Sequence, residues 1–363
     1  MPGPLAGIRV IEMAGLAPGP FGCMMLADLG ADVLRIERAG GGGLVPPEGP
    51  LDRGKYSLSL DVKNPADLEK LLALCDNADV FVEGFRPGVA ERIGIGPEDL
   101  HARNPRLIYG RITGWGQDGP LAPRAGHDIN YAAISGALDL LGREGEKPTP
   151  PVNLLADFAG GGMLLALGVL AALHERNSSN KGQVIDAAMV DGAALMTTFL
   201  HGMHDAGLWN GARGTNLLDT GAACYDTYET ADGKYMAVGA LEPQFHAALI
   251  EKLELDADEL PFHLDPTGWP QWRETLTNAF VRRTQAEWAE IFEGSDACVS
   301  PVLSAWDAHE HPHNKARETF VSIGGVQQPA PAPRFSRTAL STPHEPGKQP
   351  PAEYLQSWGL TEE

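Results

Sequence analysis

The run Gly126-His127-Asp128-Ile129-Asn130-Tyr131 sets a titratable imidazole in a polar, glycine-led segment, and Asp157 follows in Leu155-Ala156-Asp157-Phe158-Ala159-Gly160-Gly161-Gly162. An imidazole gives and takes a proton near neutrality. A carboxylate can do the same where its surroundings raise its proton affinity. One face of a substrate could meet His127 and the other Asp157, as is needed to take a proton from one side of a carbon and return it to the other. The chemistry suggested is proton transfer next to a carbonyl. Each residue also has a plainer reading. His127 could simply hydrogen-bond a loop, and Asp immediately before a helix is a preferred N-cap. The three glycines are harder to explain that way, because each weakens a helix by about 1 kcal/mol relative to Ala. Bare N–H groups at a helix start would instead approach a ligand oxygen and stabilise negative charge developing on it. Glu242, ahead of Pro243 and a helix, either complements the helix dipole or orients His127; taken alone, its position favours the first.

The elements that must carry these residues read as an α/β protein. Ile8 to Met13, Asp32 to Glu37, Val80 to Val82, Leu107 to Ile112 and Val184 to Ala187 are short apolar strands, and helices are expected at Pro20 to Leu29, Pro65 to Cys75, Gly160 to His174 and from Met189. Strands alternating with helices imply a doubly wound parallel sheet. The first turn offers Gly15, Gly19 and Gly22, spaced GxxxGxxG where a dinucleotide fingerprint needs GxGxxG. A helix packed closely on a sheet accounts for them better than NAD does, although Glu37 ends the second strand. Gly40 to Gly43 with Pro46, Pro47 and Pro50 reads as a surface loop. Beyond about Asp219 the character changes. Ala222 to Glu229, Asp232-Gly233 and Lys234 to Val238 form a hairpin signal, and helices follow at Pro243 to Leu253, Trp269 to Arg282 and Thr284 to Phe292, the last opened by the capping box Thr284/Glu287. The expected division is a large domain over 1–218, a small α+β domain over 219–328 and a segment over 329–363 that returns to the large domain.

Composition narrows the function classes. The 363 residues are 43% hydrophobic and 21% charged, with 28 basic against 48 acidic residues and a net charge of −20. That charge opposes nucleic-acid binding. The sparse basic residues gather early, and Arg38 and Arg86 each follow a strand, where open α/β sheets bind ligands. Cys23, Cys75, Cys224 and Cys298 form no CxxC pair and read as reduced thiols. His309, His311 and His313 are crowded around Pro312 with no partner carboxylate or cysteine, so no metal is expected. No Gly-x-Ser-x-Gly elbow or P-loop lysine is present. The apolar stretch Met163 to Leu173 falls short of the roughly 18 residues a membrane span needs. With no leader pattern at the start and no peroxisomal tripeptide at the end, a cytoplasmic protein is expected. Met24, Met25, Met189 and Met196 could line an adaptable apolar pocket or simply fill a core.

Taken together, these runs resemble the class III CoA-transferase family, and within it the α-methylacyl-CoA racemase branch. The matching runs are Leu29 to Val33, Glu83 to Val89, Thr113 to Gln117, Gly126 to Tyr131, Lys181 to Met189 and Gly239 to Phe245. The resemblance implies a Rossmann-like large domain that accepts CoA, a smaller α+β domain and an interlocked homodimer with its active site shared between chains. It implies His127 and Asp157 as the acid/base pair on opposite faces of the substrate's α-carbon, with Glu242 of the partner chain supporting His127. It also implies a CoA-binding set of Arg38, Leu60, Asp61, Val62, Lys63, Gly84, Phe85, Arg86, Arg92, Gly126, Asp128, Ile129, Asn130 and Tyr131. Phe85 stands where related racemases carry a tyrosine. The activity implied is racemisation of 2-methylacyl-CoA thioesters without a cofactor, CoA entering as part of the substrate. The alternative is a CoA-transferase using Asp157 as nucleophile; transferases of the family generally lack a histidine in the His127 segment.

Overall fold

A computed structural model describes residues 3–38, 49–256 and 260–360. The expected glycine/proline loop at Gly40 to Gly43, Pro46 and Pro47 lies outside the described residues. The chain divides into two compact units, one of residues 1–135, 151–196 and 312–363, the other of 136–150 and 197–311. These boundaries are not the contiguous ones expected from sequence. The short segment 136–150 groups with residues far along the chain because its Arg143 pairs with Asp226, at 2.7 Å.

In the first unit the strands are β1 (Arg9–Met13), β2 (Asp32–Glu37), β3 (Lys55–Ser59), β4 (Val80–Glu83), β5 (Ile108–Thr113) and β6 (Val184–Ala188). They form one parallel sheet in the order β3-β2-β1-β4-β5-β6, the order of a doubly wound dinucleotide-type fold. α1 (Pro18–Asp28) has proline in its first turn, where the missing N–H costs little. α2 (Pro65–Cys75) is capped by the Asn64 side chain, which accepts the Ala66 N–H. α3 (Val89–Ile93), α4 (Pro97–Arg103) and α5 (Asp128–Ile134) follow on the way to β6.

A ten-residue π-helix, Leu154–Met163, then runs directly into α6 (Leu164–Ser179). The helical stretch is therefore 26 residues, longer than the Met163 to Leu173 run singled out in the sequence, and by length and composition alone it could cross a membrane. A core helix of an α/β sheet meets the same description. Here Leu165, Ala166, Val169, Ala172 and Leu173 pack with Val82, Ile108, Ile112 and Ala187 on one face of the sheet. The other face buries Leu71, Leu74 and Leu100 with Trp358 of the C-terminal helix Ala352–Ser357 and its C-cap.

Charged residues are buried beneath the β1–α1 turn. Lys55 Nζ lies 2.6 Å from the Glu12 carboxylate, with both side chains essentially inaccessible, and it donates to the Pro20 carbonyl at 3.0 Å. Arg53 pairs with Asp28 at 2.6 Å and donates to Gln328 and the Pro329 carbonyl.

The second unit holds the helix Thr198–Asp205 and an antiparallel three-stranded sheet of Tyr225–Glu229, Tyr235–Gly239 and Val299–Pro301. The helices Pro243–Leu253, Trp269–Phe280 and Gln285–Phe292 share its core through Leu249, Trp272, Phe280 and Trp288. The Thr284/Glu287 capping box is present.

Candidate active site

Strand order in the large sheet changes direction between β1 and β4, and ligands of open α/β sheets bind at the carboxyl ends of strands at such a point. A cavity of about 540 Å³ opens there. Its walls are Met13 and Glu83 at the ends of β1 and β4, Ile112 and Thr113 of β5, the Ala14–Leu16 turn and the start of α1. Gly84 to Pro87, Arg124 to His127, Tyr131, Asp157 and Met189 complete it. Most of the wall is apolar, and its titratable or cationic groups are few enough to assign one by one.

His127 is the N-cap of α5, in extended backbone conformation, and its N–H donates to the Asn130 side chain at 3.1 Å. Asp157 is the fourth residue of the π-helix, a rare geometry that recurs at functional sites. It is not the N-cap that the sequence suggested. Its neighbour Phe158 packs on Phe21 of α1 with ring centroids 4.7 Å apart. The following glycines serve packing. A Cβ on Gly162 would lie 2.6 Å from the Pro18 carbonyl, and one on Gly192, in α7 (Met189–Leu195), only 1.8 Å from the Gly160 carbonyl. Gly160 to Gly162 do not line the cavity, so they let three helices close on one another and are not the exposed anion-binding amides expected. Burial raises the Asp157 carboxyl to about 6, the Asp128 charge adds to the rise and His127 opposes it.

Tyr131 stands edge-on to Trp115, with centroids 4.8 Å apart. Its ring leaves no room for side chains at Gly114 or Gly126, whose Cβ atoms would fall 2.1 and 2.6 Å from it. Burial, and secondarily Asp157, push its hydroxyl up to about 12. At the other wall, Glu83 accepts the Phe85 N–H at 2.6 Å, holding the Gly84–Arg86 loop on the end of β4. Arg111 of β5 backs it at 3.5 Å and also pairs with Glu91 and with Gln117. Burial raises the Glu83 carboxyl to about 7 against the lowering effect of the Phe85 N–H and Arg111.

Residues 5–353 match the model of CoA-transferase family III. The chain belongs to that family. It is similar to the α-methylacyl-CoA racemase of Mus musculus, 48% identical over 363 residues covering 99% of this chain and 94% of the relative. The human α-methylacyl-CoA racemase is 47% identical over 366 residues, with the same coverage. Among solved structures, a CAIB/BAIF family protein from Brucella suis superposes with a TM-score of 0.82 at 27% identity, covering 96% of this chain and 97% of that one.

Of the residues that the family resemblance singled out, His127, Asp157, Gly84, Phe85, Arg86, Gly126 and Tyr131 line the one cavity. Arg38 and Leu60 to Lys63 follow the carboxyl ends of β2 and β3, on the same edge of the sheet as the cavity mouth, and Arg92 lies on α3. Asp61 is engaged in its own turn, accepting the Lys63 N–H at 3.1 Å. Asp128, Ile129 and Asn130 sit beside the cavity without lining it. Glu242 is the N-cap of the helix Pro243–Leu253 in the second unit. Of the four methionines considered for the pocket only Met189 lines it, while Met13, not considered, does too. Sequence reading also missed Arg124. It lies two residues ahead of Gly126, and a lone cation so close to the histidine run in an acidic chain was the available signal.

Proposed function

We propose that this protein interconverts the (2R) and (2S) epimers of 2-methylacyl-CoA thioesters by 1,1-proton transfer. The observation that carries this reading is that His127 and Asp157, from two different elements, open into one largely apolar cavity. One of them takes the α-proton, and the electron pair of the broken C–H bond moves onto the thioester oxygen as an enolate. The conjugate acid of the other then protonates the opposite face. A proton affinity raised to about 6 leaves Asp157 mostly ionised near neutrality yet basic enough to accept a proton.

Arg86 and Arg124, both exposed at the cavity, suit the phosphates of CoA, with Arg38, Lys63 and Arg92 farther along the same ligand. The reaction needs no cofactor, since CoA arrives as part of the thioester. Glu242 is assigned to support His127 from the second copy of a homodimer. The test is incubation of one epimer with the protein in deuterated water, without an acceptor acid, while the α-proton is followed. Loss of that proton with appearance of the other epimer is expected. No exchange, with thioester transfer once an acid such as succinate is added, would overturn the reading and make Asp157 a nucleophile.

A further inference from the structure

His127 and Asp157 come from elements 30 residues apart in the chain, and proton transfer between the two faces of one carbon requires a fixed separation between them. One side chain joins the two elements. Asp128, next to His127 and only 3% exposed, reaches from the first turn of α5 to the π-helix. Its Oδ2 accepts the N–H of Ala156 at 2.7 Å and that of Asp157 at 2.9 Å. The second oxygen, Oδ1, is buried without a hydrogen-bond partner. A carboxylate buried in this way is costly, and the fold could have met two backbone donors with a neutral acceptor.

Resting on the racemase reading above, we propose that Asp128 is a positioning residue, whose carboxylate ties the backbone of Asp157 to the helix headed by His127 and so sets the separation of the acid/base pair. The charge has a second use. The groups acting electrostatically on Asp157 are Asp128 and His127, both at the start of α5; among the described residues, α1, α6, α7, β5 and β6, which also pack on the π-helix, bring none. Tyr131, also of α5, faces Asp157 with its hydroxyl in the neutral form. Asp128 therefore pushes Asp157 toward the protonated state, with only the His127 imidazole opposing it and no lysine or arginine among the described residues paired with either carboxylate.

Two substitutions separate the roles, because both backbone bonds go to a single oxygen. Asp128→Asn keeps an acceptor for both N–H groups and removes the charge; Asp128→Ala removes both. For Asp128→Ala, kcat is expected to fall roughly 10²-fold, the cost of misplacing a reacting group by about 1 Å, with KM changed much less. Asp128→Asn should lose far less turnover, and the acid limb of its kcat/KM profile should move to lower pH. Amide hydrogen exchange at Ala156 and Asp157 should accelerate in Asp128→Ala and stay slow in Asp128→Asn, whatever the activity. Near-parental kcat in Asp128→Ala beside an active parent would overturn the inference. So would an unmoved acid limb together with rapid amide exchange in Asp128→Asn, which also decides the matter if Asp128→Ala does not fold. Absence of α-proton exchange in the unsubstituted protein would instead remove the racemase reading, leaving the tether itself readable by amide exchange.

Discussion

Two groups of carboxylates in the same unit are built on opposite plans. Beneath the β1–α1 turn each carboxylate has a cation: Glu12 meets Lys55 and Asp28 meets Arg53, each at 2.6 Å. At the cavity Asp157 meets Asp128 and an imidazole, and among the described residues no lysine or arginine pairs with either carboxylate. Burial raises proton affinity in both places, but in the first the cations pull it back, and in the second a like charge raises it further. A carboxylate with a fixed cation holds its charge and hence its geometry. One without exchanges its proton readily. The first arrangement suits a scaffold and the second suits catalysis.

The largest expected effect breaks the second group. His127→Ala and Asp157→Ala should each lower kcat/KM by roughly 10²–10⁴, the range for general acid/base groups, while melting temperatures stay near the parent's. Rates of α-proton exchange and thermal melts on the same preparations check this. A parallel collapse of stability would place these residues with the scaffold and erase the contrast.

Lys55→Met attacks the first group. It strands the Glu12 carboxylate in an apolar interior, which should cost about 3–5 kcal/mol of stability. Adding Glu12→Gln should restore much of that loss, since removing both charges leaves nothing unpaired. Urea unfolding of the two single variants and the double variant measures the coupling. Full activity loss in Lys55→Met at unchanged stability would show that the buried pair belongs to the chemistry.

How far the sequence disclosed these arrangements depends on periodicity. β1, β2, β4, β5 and α2 were legible because apolar runs alternate with capped amphipathic helices. β3 was not: Lys55-Tyr56-Ser57-Leu58-Ser59 is too polar to read as a strand of the sheet, and the burial of Lys55 is tolerable because Glu12 and the Pro20 carbonyl meet its ammonium. The 127–131 run read only as a polar segment, because a seven-residue helix shows too few turns for a period to emerge. His127 and Asp157 could be named from residue type and resemblance. That Asp157 sits in a π-helix, and that the glycines beside it serve packing, depends on contacts with Pro18 and Gly192 that no local pattern encodes. Arg124 was hidden for a similar reason, since nothing in its neighbourhood marks which way the 122–126 segment turns.

The smallest effect sharpens the comparison through pH. Asp157 rises from an ordinary 3.8 to about 6 on folding, so its ionised form is disfavoured in the folded protein. Below about pH 4 it is protonated in both folded and unfolded chains and makes no difference. As pH rises through about 6 the folded protein must hold a charge that the unfolded chain carries freely, and stability falls. Asp157→Asn removes that burden while keeping the backbone N–H that Asp128 holds. It should therefore be more stable than the parent above about pH 6, by ~1 kcal/mol once the partial exposure of the side chain is discounted. The gap should close as the solution is acidified toward about pH 4, which paired melts across that range would register. A variant less stable than the parent near neutrality would mean that the Asp157 charge is compensated after all, and that the two carboxylate groups are alike.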